Sequence, residues 1–192
     1  MSEFSRQISG RRSVPRVRPD AVPRHLVEEL LSAAVTAPNH RLTRPWRFIV
    51  LGGRARRAVG EAHLRAALRE TPDLAPERQE REASRLERAP VVIACVVRSA
   101  PDADDVMRRE DRDAVAAAIQ NLLLAADGSG LGAMWRTGVI VDEPEVHDAL
   151  GLEPNDVIVA FVYVGWPAGD VPPRASGHDD LDGIVLWRLS GD

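Results

Sequence analysis

Leu26, Val27, Leu30, Leu31, Ala34 and Val35 recur at helical spacing after Pro23, which predicts an amphipathic helix that stops at Pro38. A shorter helix precedes it, with Phe4 and Ile8 on one face and an end near residues 10–13. The run Trp-Arg-Phe-Ile-Val-Leu-Gly at 46–52 predicts a buried strand closed by Gly52-Gly53. A second strand over 90–98 is built on the wholly apolar run 91–97. Between them, residues 54–88 are rich in arginine and glutamate, with Leu64, Leu68 and Leu86 at helical spacing. That pattern predicts two solvent-facing helices broken near Thr71-Pro72, their mixed charges forming a solvated face.

Residues 100–105 read as a loop. Residues 113–127 are dense in alanine and leucine and apolar nearly all round, so this helix belongs at the centre of the domain. A strand-like Ala133-Met134-Trp135 follows, then a short helix over 143–150 and a strong strand over 156–166. The tail, about 167–192, is rich in Pro, Gly and Asp except for a small apolar run at 184–189. Such a patch without a neighbouring element predicts an arm laid on another subunit. Helices outnumber strands around one buried helix, so the pattern predicts an α+β or three-layer single domain over 1–192, completed as a homodimer.

Composition narrows the function. The chain has 192 residues and a formal net charge of -4, which gives no broad electrostatic case for nucleic acid. No apolar run approaches a membrane span and no signal-peptide pattern opens the sequence, so a cytoplasmic protein without a membrane partner is expected. The single cysteine, Cys95, excludes an intramolecular disulfide or a multi-cysteine metal site, and its apolar setting predicts an inert thiol. No lysine occurs, so all 25 basic residues are arginines. A Walker-type phosphate loop and Schiff-base chemistry are thereby excluded, and any phosphate must be held by guanidinium forks or backbone amides.

The motifs sort in the same way. Gly128-Ser129-Gly130-Leu131-Gly132 follows a helix, whereas a dinucleotide-binding glycine string must follow a strand, so it reads as a helix end and tight turn. The five histidines, His25, His40, His63, His147 and His178, show no metal-ligand spacing, and there is no Gly-x-Ser-x-Gly elbow. Three clusters remain. Arg11-Arg12-Ser13 offers two guanidiniums and a hydroxyl suited to a phosphate, or simply a solvated pair. Residues 37–46 form a polar loop around Asn39 and His40 on the way into a strand. Met134-Trp135-Arg136-Thr137-Gly138 places an aromatic and a cation together, though Trp135 could equally be core and Arg136 surface.

Taken together and in this order, the clusters resemble the FMN-dependent nitroreductase family, in its small, compact branch. The match runs through Arg11-Arg12-Ser13-Val14, Ala37-Pro38-Asn39-His40, Arg44-Pro45-Trp46-Arg47-Phe48 and Gln120-Asn121-Leu122-Leu123-Leu124-Ala125-Ala126. It continues from Gly130 to Gly138 and ends at Val162-Tyr163-Val164-Gly165-Trp166-Pro167. The resemblance implies a three-layer fold with a central mixed β-sheet flanked by helices, in an intertwined homodimer with FMN at the subunit interface. It assigns Arg11, Arg12 and Ser13 to the phosphate, ribityl chain and pyrimidine edge of the flavin. His40 would approach from the partner subunit, with Trp135, Arg136 and Thr137 as the opposite wall and Arg136 near the phosphate. Residues 125–130 would meet NAD(P)H. The implied reaction passes hydride from NAD(P)H through flavin N5 to a nitroaromatic, quinone or similar small acceptor. It needs no catalytic side chain and no metal. Oxygen-dependent flavin chemistry in the same fold, or a non-catalytic flavin-binding module, stand as the alternatives. Thr36, where relatives often place a basic residue, and Asp127-Gly128-Ser129 at the end of the central helix are the departures.

Overall fold

The computed structural model of the chain describes residues 2–171, 181 and 183–188. Four strands, β1 (Trp46–Leu51), β2 (Val91–Arg98), β3 (Gly132–Arg136) and β4 (Asp156–Gly165), form one sheet in the order β1-β2-β4-β3. Every pairing among them is antiparallel, where the family resemblance implies a mixed sheet. Both faces of β2 and β4, the two central strands, are covered, so both strands read as continuous apolar runs rather than as alternating ones.

The two faces of β2 divide the core. Val91, Ile93, Cys95 and Val97 point to one layer, made by α2 (Arg24–Ala34) and α5 (Asp105–Gly128). Val92, Ala94 and Val96 point to the other, made by α3 (Arg54–Glu70) and α6 (Pro144–Ala149). Between these lies a helix–sheet–helix sandwich, the expected α+β class. The register shifts between Cys95 and Val96, so Val159 and Ala160 on β4 both face the α5 layer across a β-bulge. Cys95 is fully buried, and burial pushes its thiol well above the ordinary range, as an inert core residue requires.

Helix α5 is eight residues longer at its start than the apolar pattern predicts. The Asp104 side chain accepts a hydrogen bond from Met107 N at 2.8 Å, capping a first turn whose adjacent Val106 and Met107 set no helical period of their own. At the other end the glycines behave as a turn. Leu131 N reaches Ala126 O at 2.8 Å and Gly130 N reaches Asp127 O at 3.1 Å, with Gly130 at φ 72°. This is a Schellman ending, which needs a residue tolerant of the left-handed region. Helix α1 (Glu3–Gly10) lies against that end, Gln7 donating to Leu124 O at 3.1 Å. The charged stretch folds as α3, α4 (Pro76–Ala83) and a single 3-10 turn (Arg85–Arg88), with the expected break after Glu70. Among the described residues no helix is long and apolar enough to cross a membrane.

Candidate functional site: an arginine cradle at the foot of the central helix

The chain leaving α1 is pinned against the sheet, and this fixes where Arg11, Arg12 and Ser13 sit. Val14 N bonds Ala133 O at 3.1 Å, while Arg18 N bonds Trp166 O at 2.7 Å. Val14 also covers Gly132: a Cβ there would meet Val14 Cγ1 at 2.8 Å, so a side chain at 132 would push the segment away. The tripeptide is thus held beside the start of β3 and the C-terminal end of α5. Arg12 Nη1 donates to Ser9 O at 2.9 Å and Arg11 O at 2.7 Å, which fixes its guanidinium in place. Arg12 Nε and Arg11 Nη1 are buried and have no hydrogen-bond partner. Buried guanidinium nitrogens left without acceptors are costly, so the arrangement asks for an anion.

Trp135 and Arg136 lie two to three residues farther along β3 and point to opposite faces. Trp135 packs on the α5 layer, the side on which α1 lies. Arg136 sits over the Tyr163 ring at 5.6 Å, on the α3 side. Burial raises the Tyr163 phenol, and its hydroxyl donates to Arg85 O at 3.2 Å. Thr137 is exposed just beyond the strand.

His40 is elsewhere on the same chain. It begins a 3-10 turn (His40–Leu42) that rests against the first half of α5, beside a recess of about 460 Å³ lined by Pro38, Asn39, Glu110, Asp113 and Ala117. From Asp113 to Gly128 the helix rises about 22 Å at 1.5 Å per residue. A single chain therefore keeps His40 apart from Arg11, Arg12 and Ser13. The loop is strained: Arg41, Leu42 and Arg44 all have positive φ, at 53°, 54° and 49°. Two side chains hold it. Asn39 Oδ1 accepts from Arg44 N at 2.9 Å, and Thr43 Oγ1 donates to buried Asp111 at 2.8 Å.

Sequence reasoning missed Asp111 and Gln7, each embedded in an otherwise unremarkable segment, and gave Tyr163 no role beyond its place in the matched run 162–167. It singled out Thr36 as a departure, and the structure gives that residue a local role. Thr36 Oγ1 donates to Ala33 O at 2.7 Å and accepts from Asn121 Nδ2 at 3.3 Å, closing α2 onto α5. Among the described residues no group of three His, Cys, Asp or Glu could hold a metal ion.

Comparisons with known proteins agree with this architecture. The model of the Nitroreductase family matches residues 8–166. The chain is 32% identical over 179 residues to the Bacillus subtilis protein named "Putative NAD(P)H nitroreductase YfhC", covering 90% of this chain and 89% of that one. It superposes on a nitroreductase-like protein of Bacillus cereus with a TM-score of 0.82 and 27% identity, over 100% of this chain and 98% of that one. A Desulfovibrio desulfuricans chain solved in complex with FMN has a TM-score of 0.74 and 27% identity, with 98% of each chain covered.

Proposed function

The chain belongs to the nitroreductase family, and on that premise we propose that it is an FMN-dependent oxidoreductase. It takes electrons from NAD(P)H and delivers them to a small acceptor such as a nitroaromatic or a quinone. The observation that carries this reading is the pair of buried, unpartnered nitrogens on Arg11 and Arg12 beside the Ser13 hydroxyl. FMN brings the phosphate and the polar pyrimidine edge that such donors lack, so the residues fit the cofactor. When bound, FMN supplies a ring that accepts reducing equivalents and passes them on, chemistry that no side chain here provides.

The protein's part is to bind, orient and shield. Arg11, Arg12 and Ser13 hold the phosphate, the ribityl chain and the pyrimidine edge. Trp135, half-buried on the α5 face of β3, forms an apolar wall that keeps water from one side of the site. Thr137 lies at the rim. Arg136 reaches the phosphate side only by leaving the Tyr163 ring, which an edge strand permits. Residues 125–130, at the α5 end, face the side on which NAD(P)H would approach.

The reading also requires a homodimer. His40 is too far along α5 to join its own cradle, so a second copy supplies it. The tail offers the means: Ile184, Leu186 and Trp187 are 77%, 75% and 72% exposed, more than an isolated chain should leave in water. Strand β1 is a sheet edge, and Val22, Val27, Leu31, Val50 and Val91 line a recess of about 450 Å³ beside it. That apolar recess suits the tail of the other subunit, as the arm expected over 167–192. Residues 172–180, 182 and 189–192 of that arm lie outside the described residues. Flavin content per chain tests the cradle: Arg11→Ala should purify with less FMN, and an unchanged content would remove Arg11 from the site.

A further inference from the structure

A second cationic recess lies far from the cradle. It has a volume of about 300 Å³ and sits where the end of β2 and the start of β4 meet the first turns of α5. Arg108, Arg109 and Arg112 line it, together with Ser99 and Asn155. Arginines at 108, 109 and 112 share one helix face, since positions three and four apart are neighbours. Guanidiniums so placed repel one another unless an anion lies among them.

One carboxylate, Asp105, shares the recess with the three arginines. Among the described residues, none of the three makes an ion pair or a side-chain hydrogen bond. Asp105 borders the recess without pairing to any of them. The adjacent carboxylate, Asp156, is taken by Arg98 at 2.5 Å and Arg47 at 3.5 Å. Ser99 is only 8% exposed, borders the same recess, and its hydroxyl has no hydrogen-bond partner among the described residues. That hydroxyl faces the solvent of the recess and is free to bond a ligand atom there. The chain as a whole carries a net charge of -4, so this basic face is not a by-product of general basicity.

We propose that this recess binds the phosphate group of a small molecule. Three planar forks can surround a tetrahedral dianion, whereas one carboxylate presents two oxygens and a single charge. The Ser99 hydroxyl and the Asn155 carboxamide add neutral donors. From Arg108 to Leu124 the helix rises about 24 Å, so the site is distinct from the Arg11–Arg12 cradle of the same chain. The phosphate could belong to a nicotinamide dinucleotide or to another phosphorylated metabolite, which share this chemistry.

The test is a titration of the FMN-saturated full chain with inorganic phosphate, followed by amide NMR. Saturable shifts are expected at Ser99 and at Arg108–Arg112. Binding should weaken about tenfold in Arg108→Gln/Arg112→Gln and measurably in Ser99→Ala. Shifts that never saturate would overturn the proposal. So would full affinity in a folded Arg108→Gln/Arg112→Gln variant. Once phosphate binds as expected, NADPH moving the same amides where NADH does not would assign the phosphate to the dinucleotide. Neither dinucleotide moving them would assign it to another phosphorylated compound.

Discussion

Thr43 donates a 2.8 Å hydrogen bond to the buried carboxylate of Asp111, and this one contact ties the strained loop before β1 to the central helix. Three non-glycine residues of that loop lie in the left-handed region, a conformation that persists only when neighbours enforce it. Asp111→Ala should therefore destabilise the chain by about 1–3 kcal/mol, since the charged acceptor of a part-buried bond is lost. Hydrogen exchange should rise at residues 39–44 and stay unchanged in β2. An unaltered loop would show that the backbone alone holds this geometry.

His63 gives a second prediction, on the opposite face of the sheet. Its Nδ1 lies 2.6 Å from Glu143 and its Nε2 lies 3.2 Å from Glu82, joining α3 to α4 and to the start of α6. His63→Leu leaves two part-buried carboxylates without this partner and should lower thermal stability by about 1–3 kcal/mol. FMN content should not change, because the cluster lies across the sheet from Arg11. Loss of flavin in a variant that still melts cooperatively would contradict that separation.

Acid sensitivity should come in part from Asp156. Its side chain is 2% exposed and bonded to Arg98 at 2.8 and 2.5 Å, and these bonds hold its carboxyl below the ordinary aspartate value, helped by Glu153 N and Arg47. A group with a lowered folded-state pKa stabilises fully above its unfolded value of about 3.9 and loses that stabilisation as pH falls through the lower folded value. Asp156→Asn should thus be less stable than wild type at neutral pH, with the gap closing in strong acid. Melting curves from pH 7 downward would show it. A gap independent of pH would locate the effect in packing instead.

The layers were legible in the sequence because helical and strand periods differ so plainly. Leu26 to Val35 marked α2, and residues 91–97 marked a strand buried on both faces. The start of α5 was not legible, because residues 105–112 are charged apart from Val106 and Met107 and only the Asp104 cap reveals a helix there. Arg11, Arg12 and Ser13 were visible as a chemical cluster, yet the orphaned nitrogens that give them meaning depend on long-range pinning by Ala133 and Trp166. Trp135 and Arg136 are neighbours in sequence, and only the strand geometry reveals that they face opposite sides. Asp111 gave no signal, since a lone aspartate in a charged run looks solvated.

The homodimer is open to an equally direct check. Removing residues 181–192 should shift the chain toward monomer and reduce flavin content together, because the cradle would lose His40 of the second copy. A truncated chain that stays dimeric by light scattering and keeps its flavin would remove the tail from this role.

The most direct test of the account is an absorbance spectrum of the purified protein, followed by anaerobic addition of NADPH and then NADH. The account predicts flavin bands that bleach with at least one donor. A yellow protein that neither donor bleaches would contradict the reductase reading, and a colourless protein that takes up no added FMN would contradict the cradle itself.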